Sequence, residues 1–187
     1  MPLPDTEFDP DDNFAPGMAD VDIDIDAEAT TEALVWQLLL LINPGDEDAA
    51  LQQFSAYQDA QDALADGDDD GDAVQLLQEV IAWKSGFHIA ETDPGALIDC
   101  LTELVARFNL QIDWGVEDAS DDAFLSRVTL TELIETAHDQ LRLDGYTLWT
   151  WDTGSDAVAG WITLSREDEA MRVLAPALAI DARPGGA

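Results

Sequence analysis

The chain of 187 residues has room for one domain plus a tail, and its 47% apolar content can build a core without disulfides. With 41 acidic and 7 basic residues the net charge is −34; phosphate backbones and anionic membranes repel such a surface, which excludes nucleic acid and membrane as direct partners and favours basic proteins or divalent cations. The single cysteine, Cys100, excludes an internal disulfide and points to a reducing compartment.

Residues 1–29 hold 10 acids and no base, together with Pro, Asn and Gly, and are expected to form a disordered acidic tail. They have neither the positive nor the apolar region of a secretory signal. The longest apolar run, residues 35–42, falls well short of the ~20 residues that span a bilayer. A soluble, cytoplasmic protein is the expectation. Within the tail, Val21, Ile23 and Ile25 alternate with aspartates and offer a short edge strand.

A first helix is predicted with Thr30 or Thr31 as N-cap and Leu34 to Ile42 as body, stopped by Asn43-Pro44-Gly45. A second runs from Glu47 to Ala65, anchored by Leu51, Phe54, Tyr57 and Leu64. A third follows from Ala73 to about Trp83. Residues 46–72 again contain 10 acids and no base. Phe87-His88-Ile89 reads as a strand. Asp93-Pro94 then opens a helix with Asp93 as N-cap, and Leu97, Leu101, Leu104 and Val105 supply its apolar face. Leu110 to Trp114 alternates as a strand within a third acidic stretch, residues 113–122, which has 5 acids and no base.

Thr129 and Glu132 form a capping box for a helix through Leu141, and Gly145 ends it. Tyr146 to Trp151 and Ala157 to Leu164 are rich in aromatic and β-branched residues, so they read as a hairpin apolar on both faces. Ser165 and Asp168 suggest a capped last helix, before a flexible tail over 177–187. The fold class is therefore α+β: helices packed on a small, mainly antiparallel sheet, with the domain over residues 30–176.

The segments Trp83-Lys-Ser-Gly-Phe-His-Ile89, Ile112-Asp-Trp-Gly115, Gly145-Tyr-Thr-Leu-Trp-Thr-Trp-Asp152 and Ala159-Gly-Trp-Ile162 resemble an uncharacterised bacterial family of acidic proteins, a domain of unknown function, over roughly residues 30–175. The resemblance implies a bacterial intracellular origin and carries no activity with it.

Chemistry-bearing motifs are few. Asp66-Gly-Asp68-Asp-Asp70-Gly71-Asp72 matches the opening D-x-D-x-D-G of a calcium loop, with Asp66, Asp68, Asp70 and Asp72 as ligands. Leu77 stands where the bidentate Glu belongs, so any Ca²⁺ would be held weakly, and a solvated turn with Asp72 capping the next helix is the simpler reading. His88 and His138 lack metal-ligand spacing and read as ordinary histidines. Cys100, on an apolar helix face, reads as a core residue, and Ser155 has no nucleophile elbow. Trp149, Trp151 and Trp161 read as core, with an exposed aromatic platform as the sharper alternative. No cofactor motif is present.

Three uses of the acid compete. The carboxylates can present a face to a basic protein, as an immunity-type or DNA-mimicking inhibitor does; they can adapt the chain to high salt; or they can hold divalent metal for an enzyme. The base-free clustering favours the first, a non-catalytic interaction protein. Convergence of the three stretches on one face would strengthen it, whereas scatter would favour solubility alone.

Overall fold

A computed structural model describes residues 27–65, 73–81, 84–154 and 156–185. Among them lie seven helices and one four-stranded sheet: α1 (Ala27–Ile42), α2 (Glu47–Ala65), α3 (Ala73–Ile81), β1 (Gly86–Ala90), α4 (Pro94–Ala106), α5 (Asp122–Leu125), α6 (Leu130–Leu143), β2 (Tyr146–Asp152), β3 (Ala157–Leu164), α7 (Asp168–Ala177) and β4 (Arg183–Pro184). The expected α+β class and antiparallel late hairpin are both present. Strand order is β1-β3-β2-β4, every pair antiparallel.

The hairpin occupies the middle of the sheet because both its faces are apolar. On one face Trp149, Trp151 and Trp161 pack with Val35, Leu38 and Leu39 of α1, Tyr57 of α2, Leu77 of α3 and Met171 and Leu174 of α7. On the other, Leu148 and Ile162 pack with Leu97 and Leu101 of α4 and Leu133, Ile134 and Leu141 of α6. One sheet thus separates two cores, α1, α2, α3 and α7 covering one side and α4 and α6 the other. Close approach needs glycine at Gly160: a Cβ there would meet the Trp149 carbonyl oxygen at 2.5 Å and the Phe87 ring at 2.6 Å.

Local signals hold where a cap or turn dictates the backbone. Asp93 accepts from the Ala96 N–H, with Pro94 at the first helical position. The Thr129 hydroxyl accepts from the Glu132 N–H while Glu132 accepts from the Thr129 N–H. Gly145 follows α6 at φ 83°.

Four expectations change. Helix α1 begins at Ala27, which places Thr30 and Thr31 within the helix rather than at its N-cap. Leu51 is 55% exposed, and α2 turns Ala50, Gln53 and Tyr57 inward instead. Buried Gln53 belongs to a polar cluster: Asn43 Nδ2 donates to Gln53 Oε1 (2.7 Å) and to the Leu39 carbonyl (2.8 Å), Gln53 Nε2 donates to Ser85 Oγ (2.9 Å), and Arg107 Nη2 donates to Asn43 Oδ1 (2.7 Å). These bonds tie the ends of α1 and α4 to α2 and the turn before β1.

Leu110 to Trp114 is not a strand. The side-chain amide of Gln140 takes its backbone, accepting from the Asp113 N–H and donating to the Asp113 carbonyl. The residues after α7, expected as a flexible tail over 177–187, dock through 185. Leu178 and Ile180 are buried, and Arg183–Pro184 pairs with Thr150 and Trp149. Apolar side chains two residues apart carry this segment into the core. The expected disordered tail falls outside the described residues, except that Ala27 to Ala29 are already helical.

Candidate interaction surface

The calcium-like ligands Asp66, Asp68, Asp70 and Asp72 lie outside the described residues, as do Ser155 and Trp83. The flanking elements are as the motif requires, α2 ending at Ala65 and α3 starting at Ala73. His88 is exposed on β1, while half-buried His138 places Nδ1 3.3 Å from the Leu148 carbonyl oxygen. The described residues hold no group of three or more His, Cys, Asp or Glu side chains placed for a metal ion. The Cys100 thiol is half-buried, and desolvation, then Glu103, Asp99 and Asp93, push its pKa up. That keeps it protonated and a poor nucleophile. Trp149, Trp151 and Trp161 are buried, which removes the exposed-platform reading for the hairpin.

The described acids do not converge. Loop 113–122 lies on the α4–α6 side of the sheet, where Ile112, Trp114 and Ala119 pack against that core. Several of its carboxylates serve the loop itself. Asp113 accepts from the Gly115 N–H; Asp118 accepts from the Ser120 N–H and hydroxyl, which hold its carboxyl below the usual range. Helix α2 lies on the opposite side. Glu47 and Asp48 occupy its first turn, where the helix dipole favours them, but Asp59 and Asp62 stand exposed towards its C-terminal half, and no base sits in the last turn. The ion pairs among the described residues are Arg142–Asp168, Arg166–Glu167, Arg172–Glu169 and Arg183–Asp181, none of them on α2. Lys84 reaches α2, but its Nζ donates to Gln52 Oε1 rather than to a carboxylate.

The same layer carries exposed apolar surface. Helix α1, AEATTEALVWQLLLLI, is apolar nearly all round, the pattern of a helix covered on every side. Val35, Leu38, Leu39 and Ile42 are buried, and Leu34, Trp36, Leu40 and Leu41 are half-buried against the same core. Its outer face borders two grooves. One, of 510 Å³, runs between α1 (Leu34, Gln37, Leu41) and α7 (Ala170, Val173, Ala177), with Glu169 on its rim. The other, of 370 Å³, lies between Glu32 and Trp36 of α1 and Leu51 and Phe54 of α2. Val173 is 68% exposed. Sequence reasoning missed Val173 and took Leu51 for a core anchor, although the absence of a polar stripe on α1 was a visible signal.

A third concavity, of 560 Å³, opens where the start of α6 meets the end of β2, lined by Glu91, Asp152, Asp181, Arg183 and threonines 129, 131 and 150. Three of its four charged side chains already have local partners. Arg183 Nη2 donates to Asp181 at 2.6 Å, an interaction that lowers the Asp181 pKa and raises that of Arg183, and Asp152 accepts from the Gly154 N–H. The Asp181–Arg183 pair, held this way, stays ionised and poorly placed for proton transfer near neutral pH.

No helix of the described residues is long and apolar enough to cross a membrane. No curated protein and no solved structure matches the chain. One family model does, over residues 34–185, from the outer apolar helix to the docked segment after α7. A match over that much of the chain shows the family, so the protein belongs to the family described as Domain of unknown function (DUF6630).

Proposed function

We propose that the protein is a non-catalytic interaction protein that binds a basic protein, in the manner of an immunity-type or DNA-mimicking inhibitor, through the layer that carries α1 and α2. The observation that supports this is the run of exposed carboxylates on α2 with no ion-pair partner among the described residues. Like charges one helical turn apart cost a helix ~0.2–0.5 kcal/mol per pair, and Asp59 and Asp62 accept that cost at the end where the dipole also opposes them. A basic partner would relieve both penalties. Division of the described acids between two sides of the sheet narrows the reading to this layer, because the far loop uses several of its own.

Affinity purification from the native host tests it. A basic protein should be recovered at about 50 mM salt and lost by about 500 mM, since screening weakens exposed pairs first. Substituting Asp59→Asn and Asp62→Asn together should weaken capture. Recovery of no basic protein at low salt would sink the proposal.

The D-x-D-x-D-G spacing between two observed helices supports a second reading, a weak Ca²⁺ site at Asp66, Asp68, Asp70 and Asp72. Calorimetric titration with Ca²⁺ should give heats that Asp68→Asn and Asp70→Asn abolish; a flat titration of the unmodified chain removes this reading.

A further inference from the structure

We infer that the 560 Å³ concavity at the start of α6 binds a small apolar zwitterion, a free amino acid or short peptide. The ligand's carboxylate meets α6 and Thr150, and its ammonium meets Glu91 and Asp152. This site lies on the α4–α6 side of the sheet and does not depend on the α1–α2 layer or on a basic protein partner.

Thr150 carries the inference. It alternates with Leu148 along β2, so its side chain stands on the α4–α6 face, where it lines the cavity. The residue is 4% exposed, yet its hydroxyl bonds to no described group. The other buried polar side chains all have partners. Asn43, Gln53 and Ser85 bond to one another, Thr147 bonds to Arg142 and Asp168, and Thr163 accepts from the Trp149 indole. Buried polar groups are nearly always paired, so an open hydroxyl in a cavity wall marks a place for a ligand group.

Helix α6 adds two more donors. The Thr129 hydroxyl takes the Glu132 N–H, and the Thr129 carbonyl takes that of Leu133. That leaves the N–H groups of Leu130 and Thr131 without helical partners at the start of a 14-residue helix. Glu132 reaches back to Thr129 and not to these two. Leu130 and Thr131 both line the cavity. Two N–H groups and a hydroxyl suit an acceptor with several lone pairs, and a carboxylate at a helix N-terminus is one.

The end of the sheet brings the opposite chemistry. Arg183, the cross-strand partner of Thr150, is paired with Asp181, so those two charges offset each other. Glu91 after β1 and Asp152 at the end of β2 remain, and neither has an ion-pair partner among the described residues. A simple anion would face both carboxylates. A simple amine would leave the donors of α6 and Thr150 unmatched. An ammonium and a carboxylate on one ligand satisfy both sets, and a net charge of zero escapes repulsion by a chain of −34. Leu130, Ile134 and Val158 supply an apolar part of the lining, which suits an aliphatic side chain.

Isothermal titration of the full chain tests the proposal with four probes: leucine, the dipeptide leucyl-leucine, isocaproate and isopentylamine. Isocaproate is leucine without its ammonium, and isopentylamine is leucine without its carboxylate. At least one zwitterion should bind, and each single-charge analogue should bind at least about tenfold more weakly, the loss of one charge-assisted contact. Whether leucine or the dipeptide binds tighter then names the source of the zwitterion. Thr150→Val and Glu91→Gln should each weaken that zwitterion at least about fivefold. Neither should lower the melting temperature, because the Thr150 hydroxyl gives the fold no bond and Glu91 is exposed. No heat from either zwitterion up to about 10 mM would overturn the proposal. So would an analogue that binds as tightly as the zwitterion, or an affinity that neither substitution changes.

Discussion

Asp168 shows how far a single side chain can depart from what its position suggests. Placed at the start of α7, it looks like part of a helix cap, and Ser165 three residues earlier like the cap residue. No side-chain cap bond forms; Ser165–Glu167 is a 3-10 turn. Asp168 instead accepts from Arg142 at 2.7 Å and from the Thr147 hydroxyl at 2.6 Å, and Arg142 also donates to Thr147. Thr147 is fully buried, so removing its acceptor leaves a polar group with one partner fewer in the core. Asp168→Ala should lower unfolding free energy by ~2 kcal/mol, as measured by urea denaturation; a loss below about 0.5 kcal/mol would show the triad to be incidental. Cys100 supplies the pH-dependent case. Burial and three carboxylates favour the neutral thiol, so alkylation by iodoacetamide should remain slow at pH 8 and accelerate only above the ordinary thiol pKa. Half-maximal rate at or below that value would contradict the environment described. Tertiary partners of this kind cannot be read from spacing, which explains why the caps at Asp93 and Thr129 were legible and the role of Asp168 was not.

Among the elements, legibility followed how local the cause was. Helix α2 has the predicted bounds because Glu47 and Asp48 suit its first turn, and the hairpin follows from β-branched and aromatic density. Residues 110–114 alternate correctly for a strand, yet the amide of Gln140, on a different element, binds both backbone groups of Asp113. Alternation reports which side chains face a core, not what satisfies the backbone. The same limit hid the docking of Leu178 and Ile180, since small residues and a proline surround them. Gly160 tests the packing of β1 against β3. It stands opposite Phe87 on β1 and Thr150 on β2, and a methyl group there would strike both the Phe87 ring and the backbone of β2. Gly160→Ala should cost about 1–3 kcal/mol of stability by denaturant titration, a neutral result meaning that the ring can move aside.

For the whole molecule, the division of the acid matters more than its amount. The α+β class was legible because helical and strand periods separate cleanly along the chain. The placement of the acidic stretches was not, because which side of a sheet a segment covers depends on crossovers that local pattern does not record. With α2 and loop 113–122 on opposite sides and few bases to pair, repulsion spreads over the molecule. Raising NaCl from about 20 mM to about 500 mM should therefore increase the melting temperature by a few degrees and then level off. Continued stabilisation into molar KCl would instead restore the adaptation-to-high-salt explanation.

The order of the sheet has a consequence for synthesis. Helix α1 is translated first among the described elements, and β1 soon after, yet the tryptophans that cover α1 and the strand that holds β1 belong to the hairpin over 146–164. Until the hairpin emerges, this leucine-rich helix has only α2 and α3 to cover it, and its tryptophan-facing side is the kind of surface that aggregates. Residues 1–26 on one side of it and 46–72 on the other are acidic and free of bases. They would act as gatekeepers for the nascent chain until the ribosome has delivered the hairpin.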